Sequence, residues 1–95
     1  MNSSGIRWDP QKAIANLRDH SVSFADAATV LTDEYALTRE DDGAVGEQRF
    51  VTLGMSATGH LLVVVFVHRE PDVYRLISAW KANKPQRSLY EKGRR

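Results

Sequence analysis

The run Leu61-Leu62-Val63-Val64-Val65-Phe66-Val67 constrains the fold of this chain more than any other feature. A strand turns alternate side chains to opposite faces, so a strand apolar at every position has two faces to cover. It therefore reads as the central strand of a sheet. It is too short to cross a bilayer, which takes about 20 apolar residues. Arg49–Met55 alternates around Phe50, Val51 and Leu53, and Val73–Ala79 is a further strand. Tyr35–Arg39 is shorter and β-prone. Asp41-Asp42-Gly43, Ser56-Ala57-Thr58-Gly59 and Arg69-Glu70-Pro71-Asp72 are turns. Connections this short are hairpins, which predicts an antiparallel meander of four strands. Ile6-Arg7-Trp8 reads as a short fifth strand at an edge.

Two helices precede the strands. Asp9 is suited to accept a hydrogen bond from the first free amides of a helix, and Pro10 fits its first position. Pro10, Ala13, Ile14 and Leu17 then form an apolar stripe at helical spacing, ending near His20. Ser23 and Asp26 make a pair like a capping box, with Val22 stapled onto Ala27. Phe24, Ala27, Ala28 and Leu31 follow the same spacing. Asn83 caps a last helix over about Lys84–Lys92, with Gln86 at the third helical position. The expected class is α+β, a small antiparallel sheet with two N-terminal helices and one C-terminal helix packed on one face.

The chain has 95 residues and 42% hydrophobic composition, enough for one domain and one small core. It has no cysteine, which excludes a disulfide framework, a zinc knuckle and a thiol nucleophile. Met1-Asn2-Ser3-Ser4-Gly5 lacks the basic and apolar regions of a signal peptide. A cytoplasmic protein is expected, in which the Asn2-Ser3-Ser4 sequon has no meaning. The net charge of +1 conceals an asymmetry: residues 1–68 carry five Lys/Arg against nine Asp/Glu, and residues 69–95 carry eight against three. A basic final quarter suits a phosphate backbone or an acidic partner, and its last residues, about 92–95, are expected to be flexible.

The inventory narrows the chemistry. His60 and His68 flank one strand and stand about 26 Å apart along it, so they share no metal. His20 closes the first helix, where its cation is favoured by the helix dipole. Gly54-Met55-Ser56-Ala57-Thr58-Gly59 is neither a phosphate loop nor a nucleophile elbow. Asp41, Asp42 and Glu47 cluster in one loop, where like charges are ordinarily solvated. No metal and no cofactor are expected. The basic residues remain. Arg49 opens a strand, Arg75 lies within the last one, and Lys81, Lys84 and Arg87 follow it beside Trp80 and Tyr90. Cations beside aromatics suit single-stranded RNA, with charge on the phosphate and rings on the bases. RNA carries its own nucleophile, the 2′-hydroxyl. Its cleavage needs orientation, a proton acceptor and cations that stabilise charge on phosphorus.

From Trp8-Asp9-Pro10-x-Lys12-Ala13 through Asn16-Leu17-x-x-His20-x-Val22-Ser23-Phe24, the chain resembles the BrnT toxins of bacterial type II toxin–antitoxin pairs. The likeness continues through Ala27-Ala28-x-Val30, Ala36-Leu37-Thr38, Glu47-x-Arg49-Phe50, Gly54-x-Ser56, Leu61–Val65, Ile77-Ser78-Ala79 and Arg87-x-x-Tyr90-Glu91. It spans nearly the whole chain. It implies a RelE-like fold and a ribonuclease that arrests translation. A BrnA-type antitoxin partner is implied too, in a hetero-oligomer that meets DNA only through the antitoxin. Arg49, Arg87 and Lys12 match basic positions of the family, expected to bind phosphate. His20 matches as well, either as acid or base or in a capping role. Arg75, Trp80, Lys81, Lys84 and Tyr90 complete the expected RNA surface. Trp80 departs from the pattern, since the family has arginine there, and Asn83 and Gln86 stand where it has Thr and Glu. Indole supplies neither the fixed charge nor the phosphate fork of a guanidinium. The resemblance therefore also admits a weakened toxin that mainly binds its antitoxin within a repressor complex.

Overall fold

A computed structural model describes residues 5–43, 46–69 and 71–94. Asn2-Ser3-Ser4, Glu70 and Arg95 lie outside the described residues. The order is β1 (Ile6–Arg7), α1 (Pro10–His20), α2 (Phe24–Thr29) with a 3₁₀ turn (Val30–Thr32), β2 (Leu37–Glu40), β3 (Arg49–Met55), β4 (Leu61–Arg69), β5 (Val73–Lys81) and α3 (Lys84–Gly93). The sheet runs β1-β5-β4-β3-β2, so β4 is the central strand that its composition requires. β2 to β5 form the antiparallel meander, and β1 joins β5 in parallel at the edge. The fold is α+β. No described helix is long and apolar enough to cross a membrane.

The caps follow the local chemistry. Asp9 accepts the Gln11 amide at 2.9 Å, Ser23 accepts the Asp26 amide, and Asn83 and Gln86 bond reciprocally. Asp33 shapes the entry to β2, where its carboxylate accepts the Tyr35 amide at 3.0 Å and its carbonyl the Ala36 amide at 3.1 Å. Tyr35 and Ala36 are thereby taken into a turn, and the strand starts at Leu37. Gly54 lets this segment close onto β3, because a Cβ there would lie 2.9 Å from Val30 Cγ1 and 3.2 Å from Ala36 Cβ.

Two expectations are corrected. The helices are not on one face. Leu62, Val64 and Phe66 of β4 pack with Val22, Phe24, Ala27 and Val30, whereas Leu61 and Val63 pack with Tyr90 of α3 on the reverse side. A strand apolar on both sides thus receives a cover on both sides. The α1 stripe is also not the buried one. Ile14 and Leu17 are 61% and 54% exposed, while Asn16 is 6% exposed. The reason lies at the sheet edge. β1 is two residues long and pairs only Tyr74 and Arg75, so it leaves Ala79 without a strand neighbour on that side. Asn16 takes the strand's place. Its Nδ2 donates to the Ala79 carbonyl at 2.9 Å and its Oδ1 accepts the Ala79 amide at 3.0 Å. Nδ2 also donates to the Val22 carbonyl at 3.0 Å, tying the α1–α2 connection to the same point.

Candidate functional site

The register of the sheet sorts the basic residues. Residues opposite one another on neighbouring strands share a face. Arg7 pairs with Arg75, Arg75 with Val67, and Val67 with Arg49. Three arginines therefore form one cross-strand row on the face that carries α3. With strands about 4.8 Å apart, Arg75 and Arg49 stand roughly 10 Å from each other across Val67. The next row holds Arg39, Val51, Val65 and Ser78, and the one after it Leu37, Leu53, Val63 and Trp80. α3 crosses at that last end, where Tyr90 packs on Leu53, Leu61 and Val63. The arginine row lies toward the other end. Described strand residues on this face include no carboxylate. Arg69, farther along, pairs with Glu47 from the preceding loop.

Like charges directly opposite one another in a sheet are destabilising, so the Arg7–Arg75 pair is costly to the fold in the absence of an anion. Arg49 stands farther on, across Val67. Its Nε is inaccessible to solvent and has no hydrogen-bond partner among the described residues. The side chain as a whole is half-buried, so the rest of its guanidinium can meet an anion at the surface of the sheet.

A β-bulge decides which of the later residues join. Val65 faces Ser78 but Phe66 faces Leu76, which makes Ile77 the extra residue. The bulge exchanges the faces, so that Ser78 and Trp80 share the side of Arg75. Lys81 is turned to the face covered by α1 and α2, where it lines a hollow of about 360 Å³ with Ser21, Asp26 and His60. Strict alternation from Arg75 would have put Lys81 with the arginines.

The remaining expected residues are dispersed. Lys12 and His20 stand one turn before and one turn after Asn16, on the stripe of α1 that follows β5. The His20 ring lies 6.1 Å from that of Trp80. Arg87 and Lys84 are exposed on α3. Leu89 borders the open sheet beside Arg39 and Val51. Arg87, two positions away and so about 200° round the helix, is on the opposite flank. Arg7, Arg39 and Arg69 were missed as candidates. Arg7 and Arg39 lie far from Arg75 in sequence and only the pairing register could have revealed them, whereas Arg69 stands across the β4–β5 turn, opposite Val73.

Tyr90 is corrected as a surface stacking residue. It is 2% exposed, and its hydroxyl donates to Asp33 Oδ2 at 2.5 Å. Burial, then the bond and charge of Asp33, push its pKa up to about 12. Burial acts to raise the pKa of Asp33. The Met55 amide, the Tyr90 hydroxyl and the Tyr35 amide outweigh it and hold the carboxyl below its ordinary value. The pair anchors α3 to the turn before β2. Tyr90→Phe is expected to destabilise the protein by about 1.5–3 kcal/mol, the range for a hydrogen bond to a charged acceptor, in chemical denaturation. The raised phenol contributes stability that is complete below its ordinary pKa of 10 and is lost as pH rises toward about 12. Unfolding midpoints measured over that interval should fall in the native chain and not for this reason in the Phe variant.

Among the described residues no three His, Asp or Glu side chains come together. Asp41 accepts the Gly43 amide and Glu47 pairs with Arg69, so the acidic loop is engaged in turns and ion pairing.

Among solved structures, the chain is similar to the 1.1 Å crystal structure of the Brucella abortus ribonuclease toxin, BrnT, with a TM-score of 0.63. Identity is 21%, covering 84% of this chain and 97% of that one, a likeness that speaks to the fold. No curated protein matches the chain. The sequence model of the ribonuclease toxins, BrnT, of type II toxin–antitoxin systems matches residues 8–85. Since that match takes in most of the domain, from the cap of α1 to the start of α3, the chain belongs to the BrnT family of ribonuclease toxins.

Proposed function

We propose that the chain is an endoribonuclease that needs no metal, binds RNA on the open sheet face and is neutralised by a BrnA-type antitoxin. The observation that carries this reading is the arginine row, where, among the described residues, the Nε of Arg49 has no partner and no strand carboxylate shares the face. In the reaction, the RNA 2′-hydroxyl gives its proton to water and its oxygen bonds to the adjacent phosphorus, while the bond to the 5′-oxygen breaks and that oxygen takes up a proton from water. Arg49 and Arg75 stabilise the extra negative charge that develops on phosphorus. Trp80, two cross-strand rows from Arg75, offers its ring to a base farther along the RNA, and His20 beside it is proposed to position that ring, its distance from the arginine row setting it apart from proton transfer at that phosphate. Lys12 supplies charge from the same stripe of α1, and Lys84 and Arg87 hold flanking RNA from α3. Lys81 and Tyr90 receive no RNA role, the one for its face and the other for its burial.

Expression of the chain alone should stop growth and fragment cellular RNA. Trp80→Arg serves as the comparison. If the native chain is inert and the arginine form is active, the weakened reading replaces this one, consistent with the apolar packing of Trp80 against the Tyr90 cluster. If neither arrests growth, the ribonuclease reading fails. The antitoxin is expected to lay acidic side chains over the same cations. Its association should slow with added salt, and neutralising Arg49 and Arg75 should reduce that sensitivity in stopped-flow measurements.

A further inference from the structure

At the β1 edge of the open face, Arg7, Arg69 and Arg75 line a hollow of about 300 Å³ together with Trp8, Asp9 and Val73. We propose that this hollow is a second RNA subsite, in which the arginines hold a phosphate and Trp8 stacks the base of the same nucleotide. The inference rests on the RNA reading of the sheet face and extends it by one nucleotide beyond Arg49 and Arg75.

Four observations support it. Arg7 and Arg75 are direct cross-strand neighbours, so their charges converge without need of any rearrangement. Asp9 lines the same hollow with its carboxylate turned to capping α1, and Glu47 pairs with Arg69. Among the described residues Arg7 and Arg75 have no ion-pair partner, which leaves the hollow a net positive lining for an anion. Trp8 is 37% exposed, and its ring is held edge-on against buried Phe24 at 6.0 Å between centroids. A ring fixed on one side and open on the other is a stacking platform that loses little entropy on binding. Finally, the hollow adjoins the row rather than standing apart from it, since Arg75 belongs to both. A chain of phosphates crossing the strands from Arg49 would arrive at Arg7.

The test uses a short single-stranded RNA with 2′-O-methyl groups throughout, which removes the nucleophile and leaves binding. In the native chain, affinity should fall with salt. Arg7→Gln should weaken binding about tenfold and lower the slope of log affinity against log salt by about 0.7, the share of one phosphate contact on a single strand. Arg7→Lys should restore the slope. In Trp80→Phe, which keeps an aromatic ring at that position, Trp8 is the one remaining tryptophan, and RNA at concentrations shown by anisotropy of a labelled strand to saturate this variant should quench its fluorescence. That readout keeps Arg7 intact and so does not depend on the folding of an Arg7 variant. If the native chain binds no RNA, the function proposed above fails. If it binds, but the slope is unchanged in Arg7→Gln or Trp8 emission is unmoved, the subsite is overturned and the rest of the face stands.

Discussion

Asn16→Ala is expected to cost about 3–5 kcal/mol and to leave much of the chain unfolded at room temperature. Two carbonyls and one amide lose their partner, namely Val22 O, Ala79 O and Ala79 N. Each buried polar group left without a partner costs about 1–3 kcal/mol. A domain of this size has only about 5–15 kcal/mol of total stability, and a small one sits near the lower limit. Relaxation that admits water to the β5 edge would reduce the effect but would separate α1 from the sheet. The informative control is on the same helix. Ile14→Gln replaces a residue 61% exposed and should change stability by no more than about 0.5 kcal/mol. An amide would then matter more than the isoleucine two positions before it. Urea denaturation followed by circular dichroism measures both. A cost for Asn16→Ala below that of Ile14→Gln would mean that α1 is held by its apolar contacts.

That reversal shows where the sequence was readable. Asp9, Ser23, Asn83 and Gln86 act on backbone within a few residues, and their caps were legible because the partner is nearby. Leu61–Val67 announced a central strand because no edge or surface strand tolerates such a pattern. The two-sided cover was implicit in the same run, but nothing local says on which side α3 will pack. Asn16 was unreadable for a different reason. A polar residue among apolar ones is ordinarily assigned to solvent, and its burial depends on β1 ending after Arg7. Ile77 is the clearest case. One bulged residue reversed the faces of everything after it, bringing Trp80 to the arginines and sending Lys81 away. The basic character of the chain's final quarter was visible in composition. The row itself joins Arg7, Arg49 and Arg75 from three separate segments, and only strand pairing brings them together.

The same row supports the second large prediction, a separation of activity from stability at Arg49. Arg49→Met keeps a long unbranched apolar stem on the sheet and removes the guanidinium. RNA cleavage should fall by two to three decades, the usual loss when one contact to transition-state charge is removed, about 2.7–4 kcal/mol. Stability should not fall with it. The Nε that disappears has no partner among the described residues, and the side chain is half-buried, so its covered part is the stem that methionine replaces. A substitution that keeps the stem and breaks no described bond should be near neutral for the fold. The expected result is therefore a protein about as resistant to urea as the native one and nearly inert toward RNA. Arg75→Met should behave similarly in cleavage, and the double variant should lose less than the sum if both guanidiniums act on one phosphate. Were Arg49→Met to unfold the chain instead, the guanidinium would be a structural member of the sheet. Activity surviving in a stable Arg49→Met protein would place the chemistry elsewhere, with the Lys12–His20 stripe along β5 as the next position to vary.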